Sequence, residues 1–155
     1  MSTRSRGIVF PYAIALRGDG AVHVVPVAAI DIKAKSGEWF GFSLIIDSGA
    51  SVSVLPKHDA ELLDVRPASG KATMIQGVGG TQLRGWEHKL TIRCGSDTFR
   101  CPIVFLDTAN APRILGRFGV FDRYTIIFEE YARRTGLFPH RTARQAVTPL
   151  FREND

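Results

Sequence analysis

Two cysteines in 155 residues are too few for a disulfide framework or a four-ligand zinc site. Cys94 and Cys101 flank Gly95-Ser96-Asp97-Thr98, a turn-like tetrapeptide, and are expected to face each other across a hairpin as buried, reduced thiols. No segment approaches the ~20 apolar residues of a membrane-spanning helix, so no membrane association is expected. The chain starts with a basic stretch and a short apolar run, but Pro11 interrupts the run and Arg17-Gly18-Asp19-Gly20 stands where a small-residue cleavage site would lie. The expectation is a soluble, cytoplasmic protein without a secretory leader. The four histidines (His23, His58, His88 and His140) are scattered among dissimilar segments, so neither a metal site nor a cofactor is expected. Long Ala/Leu/Glu/Lys stretches with a 3.6-residue period are also missing, which favours strands and turns.

What remains is a chain that is 45% hydrophobic, with ten Phe, fifteen Gly and many β-branched residues. This is enough for one domain with a modest core, built from strands and turns. The net charge of +5 suggests nucleic-acid binding until it is located. Residues 7–130 hold 13 Lys/Arg and 13 Asp/Glu, and the excess lies in Arg4, Arg6 and a tail containing Arg133, Arg134, Arg141, Arg144 and Arg152. A neutral body with charged ends does not present the basic face that a nucleic acid needs, so no nucleic-acid partner is expected.

Short apolar runs recur with turn signals between them. Tyr12–Leu16 and Val22–Val27 are separated by Asp19-Gly20, and Val27–Lys33 and Trp39–Ile46 by Lys35-Ser36-Gly37. Ser51–Leu55 alternates polar and apolar, as a half-buried strand does, and Pro56 can open a short helix through Leu63. Lys71–Gln76 and Gln82–Trp86 flank Gly77-Val78-Gly79-Gly80, which predicts a hairpin with a glycine-rich tip. Glu87–Arg93 and Phe99–Phe105 predict another hairpin, Ile114–Arg117 precedes one or two helical turns, and Tyr124–Phe128 is a late strand. The pattern predicts an all-β domain of short hairpins over residues 1–130, followed by a basic extension, 131–155.

The apolar run Phe42–Ile46 stops at Asp47-Ser48-Gly49-Ala50. On its own the tripeptide Asp47-Ser48-Gly49 is ordinary turn chemistry, and an Asp capping a turn is its plainest reading. The other reading is a catalytic carboxylate at the end of a buried strand. Asp47-Ser48-Gly49-Ala50 resembles the active-site motif of aspartic proteases. Met74–Gly80, with Ile75, Gln76, Gly77, Val78 and Gly79 at its tip, resembles the flap of retroviral proteases. Ile114-Leu115-Gly116-Arg117 resembles the apolar-apolar-Gly-Arg segment that follows in the same family, with 69 residues from Asp47 to Gly116.

The ordered set is similar to the retropepsin-like aspartic proteases. The resemblance implies a closed or partly open barrel of short hairpins with a flap and one or two short helices, pairing as a homodimer. The chain holds Asp47-Ser48-Gly49 once, and Asp97-Thr98-Phe99 lacks the glycine, so the resemblance implies that Asp47 from each of two chains makes the site. Two close carboxylates sharing one proton can take a proton from water and donate one to a peptide carbonyl, for which aspartic proteases are the standard example. The resemblance further implies that Ser48 locks the two active-site loops together, that the Gly49 carbonyl accepts a substrate hydrogen bond, and that Gly77–Gly79 close over an extended peptide bound as an added strand.

One position departs from the pattern. The family's arginine, here Arg117, pairs with an acid four residues beyond the catalytic Asp, and that position is Ser51. The ion pair is therefore absent or rerouted. A fold retained as a non-catalytic dimer, serving as a peptide-binding or assembly module, is the competing expectation. Leu137-Phe138-Pro139 and Pro149-Leu150-Phe151 are apolar peptides that such a groove accepts. The tail is thus either trimmed by self-cleavage, or Gly136–Pro139 packs on the body or on the dimer partner with the rest loose.

Overall fold

The computed structural model describes residues 7–16 and 18–151, the side chain of Val78 excepted. The basic N-terminal residues Arg4 and Arg6, the turn residue Arg17 and the last four residues lie outside it. In chain order the strands are β1 (Ile8–Pro11), β2 (Ala13–Leu16), β3 (Val22–Val25), β4 (Val27–Lys33), β5 (Trp39–Ile46), β6 (Ser53–Pro56), β7 (Lys71–Gln76), β8 (Gln82–Cys94), β9 (Asp97–Leu106), β10 (Ile114–Leu115), β11 (Tyr124–Glu129) and β12 (Arg134–Pro139). Among the described residues two α-helices accompany them, α1 (Asp59–Leu62) and α2 (His140–Val147). Neither is long and apolar enough to cross a membrane.

The chain divides into two compact units. The inner one is Val27–Val120, and the other combines the chain up to Pro26 with that from Phe121 onward. In the inner unit seven strands run in the order β4-β5-β10-β6-β9-β8-β7, and β4 also pairs with β8. That additional pairing links the two sides of the sheet, making the barrel expected from sequence. It covers only Asp31↔Arg93 and Ile32↔Ile92, and a side-chain contact reinforces it. Arg93 donates to Asp31 Oδ2 at 3.0 and 2.7 Å, and its guanidinium lies 4.4 Å from the centre of the Trp39 ring.

Alternation explains most of the core. Ala28, Ile30 and Ile32 of β4 and Phe42, Leu44 and Ile46 of β5 point inward at every second position. Strand β6 departs from its expected half-burial, because all four residues, Ser53 included, are buried. It lies between β10 and β9 and runs parallel to β9, an interior position covered on both faces. The two strands expected at Gln82–Trp86 and Glu87–Arg93 are one 13-residue strand, β8. Gly85 lets it run on against β9, since a Cβ there would come within 2.8 Å of the Phe105 carbonyl oxygen.

The β8–β9 register corrects the cysteine expectation. Cys94 lies opposite Asp97 and Cys101 opposite Leu90, so the thiols do not face each other. The turn is shorter than expected, with Gly95 at φ +57°. Both thiols are free and buried, and burial pushes Cys94 up to about 11. After Arg117 the chain makes turns through Gly119 (φ +79°) in place of the expected helical turn.

The other unit holds a three-stranded sheet, β1-β12-β11, and the β2–β3 hairpin expected around Asp19-Gly20. The boundary expected at residue 130 falls inside the β11–β12 hairpin. Its turn lacks Gly or Asn and uses Arg133 at φ +51°, so no turn signal marked it. Gly136–Pro139 is therefore packed, as one of the two expectations had it, but in the middle strand of a sheet with Leu137 fully buried. With its main chain paired to β1 and β11, this segment is not a free extended peptide. Two of the tail arginines are paired, Arg133 with Glu130 and Arg134 with Glu129.

Candidate active site

Strand β5 ends by delivering Asp47 to the edge of the inner unit's core. Ile46 is buried, Asp47 is partly buried, and Ser48 and Gly49 are exposed. The Gly49 N–H donates to Asp47 Oδ1 at 2.8 Å, and the Ala50 N–H to the Asp47 carbonyl at 3.3 Å. These are the bonds of an Asp-led turn, and the carboxylate orders its own loop. A Cβ on Gly49 would lie 3.2 Å from that same oxygen, so the position has little room for a side chain.

The second motif, 69 residues away, lies directly beside this loop. Ile114 pairs with Ile45 and Leu115 with Ile46 in parallel, and Ile114 also pairs with Val54. The Asp47 N–H donates to the Leu115 carbonyl at 3.1 Å and the Ile45 N–H to the Arg113 carbonyl at 2.9 Å. Past the strand, the Arg117 N–H reaches the Ala50 carbonyl and the Phe118 N–H the Ser51 carbonyl, both at 2.9 Å. Main-chain bonds from one segment thus brace Asp47-Ser48-Gly49-Ala50 on both sides. Gly116 is required by this approach, because a Cβ would lie 2.3 Å from the carbonyl carbon and oxygen of Val52. Arg117 contributes through its main chain, and its side chain is exposed.

Three residues of this arrangement were not singled out in the sequence. Ser53, fully buried, accepts the Gly116 N–H on its Oγ at 3.0 Å. Asp59, also fully buried, receives a two-pronged grip from Arg113, with Nε and Nη2 each 2.7 Å from a carboxylate oxygen. These hydrogen bonds hold the Arg113 guanidinium further above its ordinary pKa. Ser53 lay in an alternating run that put it outside. Asp59 and Arg113 are 54 residues apart with nothing periodic linking them.

The glycine-rich hairpin forms as expected, with Ile75 opposite Leu83 and Gln76 opposite Gln82. The Gly77 N–H donates to the Thr81 carbonyl at 2.7 Å, and Gly79 and Gly80 take φ of +79° and +80°, which only glycine adopts easily. Ile75 and Leu83 pack with Val52, Ala111 and Ile114 against a buried cluster of Val54, Val104 and Leu106. The hairpin base, the strand after Asp47 and the second motif therefore share one partly exposed apolar wall.

A family model described as aspartyl protease matches residues 20–118, most of the chain and all of these segments. The chain belongs to the aspartyl protease family. Among solved structures, a retropepsin-like aspartic protease from Rickettsia conorii matches at 18% identity with a TM-score of 0.56, covering 85% of this chain and 98% of that one. The EIAV protease bound to an inhibitor matches at 25% identity with a TM-score of 0.46, over 60% of this chain and 82% of that one. No curated protein matches. The fold of this aspartyl protease family member is retropepsin-like, and the Arg–acid pair found beside its second motif joins Arg113 to Asp59.

Proposed function

We propose that the chain is one half of an aspartic endopeptidase that cuts extended, largely apolar polypeptide segments. Asp47 from each of two copies would supply the paired carboxylates, one taking a proton from the attacking water and the other donating to the carbonyl oxygen. A pair at close range titrates as a unit, so its two apparent pKa values belong to the dimer. Ser48 would bond across the two-fold axis, and Gly49 would let the substrate backbone approach. Ala50 would complete the loop, and Ile75–Gly79 would act as the flap. Ile114–Arg117 would hold the loop from beneath. No metal or cofactor enters this chemistry.

The observation that carries the reading is the bracing of the Asp47 loop by main-chain bonds from Leu115 and Arg117. A turn that only reverses the chain has no need of a second segment fixed on both sides of it. The apolar wall around Ile75, Leu83 and Ile114 supports an apolar substrate, and the position of β7 at the edge of the sheet supports strand-like binding.

Replacing Asp47 with Asn tests the mechanism. Cleavage of a diverse peptide mixture should fall by at least ~10³-fold, with the circular dichroism and melting temperature unchanged. Inhibition of the wild-type chain by a statine-type transition-state mimic should accompany it. Full cleavage by a clean Asp47→Ala preparation would rule the mechanism out. A folded wild-type dimer that binds peptides without cutting them would favour a binding module instead.

A further inference from the structure

Among the described residues three polar or charged side chains are fully buried, Ser53, Asp59 and Thr135. Two of them hold opposite ends of the same two-residue strand. Ser53 accepts the N–H of Gly116, just after β10, and Asp59 binds the guanidinium of Arg113, just before it. A buried carboxylate is costly unless paired, so its placement at this end of so short a strand needs a reason.

We propose that the Asp59–Arg113 ion pair is a clamp that fixes β10 against β5, making both members positioning residues for Asp47. This inference rests on the proteolytic reading for its catalytic consequence, but not for its structural one. Two residues are short for a strand, and β10 makes only two parallel pairs with β5 and a single pair with β6, so its start has little ladder of its own to hold it. Arg113 ties a further restraint to the site. Its guanidinium is seated on α1 by a two-bond fork and lies 5.8 Å from the centre of the Phe42 ring, while its carbonyl accepts the Ile45 N–H. The next restraint along β5 is the Asp47 N–H on Leu115. Loosening the fork therefore frees Arg113 and the β10 start, and with them the main chain of Asp47. His58, whose Nε2 is 3.4 Å from Asp59 Oδ1, is largely exposed and is no substitute for the fork.

The test uses Asp59→Asn, Arg113→Lys and the apolar double variant Asp59→Leu/Arg113→Met. Amide hydrogen exchange at Ile45 and Asp47 is read relative to reference amides of the β4–β5 hairpin in the same variant, which cancels any global loss of stability. In all three the Ile45 and Asp47 amides should exchange at least ~10-fold faster relative to those references. In the double variant the melting temperature should recover much of what Asp59→Asn loses, because well-packed apolar pairs often replace an ion pair. kcat should nevertheless stay at least ~10-fold down, with KM within ~3-fold of wild type. Unchanged relative protection at Ile45 and Asp47 would overturn the proposal. So would native kcat in a double variant with a native melting temperature. A wild-type chain that cleaves nothing, but whose variants lose protection at these two amides, would keep the clamp and defeat the proteolytic reading.

Discussion

Gly116 occupies a position where a single methyl group meets main chain rather than a side chain that could turn away. With the added carbon 2.3 Å from the Val52 carbonyl, Gly116→Ala must separate β10 from the loop after Asp47. The expected cost is about 3 kcal/mol, a fall in melting temperature of about 10 °C, measured by thermal unfolding. Cys94 makes a second prediction. Burial raises its thiol to about 11, so the folded state favours the protonated form. The stabilisation is present below the ordinary thiol pKa and is lost as pH rises through about 11. Cys94→Ala should therefore flatten the fall in stability on the order of 2 kcal/mol that the wild-type chain undergoes across that range, as read by urea unfolding at several pH values. At this scale the sequence was legible where chemistry is local. Asp47-Ser48-Gly49-Ala50 and Ile114–Arg117 could both be read as motifs, and they lie against each other. Asp59 could not be read, because its partner Arg113 comes from a distant segment and an acid in Asp59–Leu62 looks like any acid on a short helix.

Strand β10 is the smallest element and the one on which the others around Asp47 depend. At its far end one buried hydroxyl, that of Ser53, adds to the main-chain bonds. Ser53→Ala leaves the Gly116 N–H without its acceptor in a site closed to water, at an expected cost of about 1–3 kcal/mol. Ser53→Thr keeps the hydroxyl and adds a methyl group, so it should retain more of the hydrogen-bond energy, and comparing the two by urea unfolding separates the bond from the packing. If both lose the same amount, the hydroxyl is not what matters. Alternation read β4 and β5 correctly because each has one buried face. The same rule failed on β6, which is buried on both faces, and there Ser53 pointed inward to meet a need that no pattern encodes. Strand β12 escaped for another reason: a turn closed by Arg133 in the left-handed region has no Gly or Asn to announce it.

The family match, residues 20–118, coincides almost entirely with the inner unit, Val27–Val120. Everything needed to brace one Asp47 lies within that unit, yet it contains one Asp-Ser-Gly and the proposed chemistry calls for two carboxylates. The sequence made that shortfall countable but held no trace of which surface a second copy would cover, since an interface has no period or spacing. Composition was more limited still, because a net charge of +5 described the ends and not the core. Stoichiometry can be tested without locating the interface. Wild-type chain is mixed with an equal amount of Asp47→Asn chain, well above the concentration at which dimers dissociate, and allowed to exchange. Half of the wild-type chains then face an inert partner, so cleavage should fall to about half of that given by the same amount of wild-type chain alone. If each chain acted by itself, the inert chains would change nothing. Diluting the wild-type enzyme should lower its activity per chain as pairs separate, and a single polypeptide joining two copies should resist that loss. Activity per chain that stays constant through both mixing and dilution would place the whole reaction in one copy and remove Asp47 pairing as its basis.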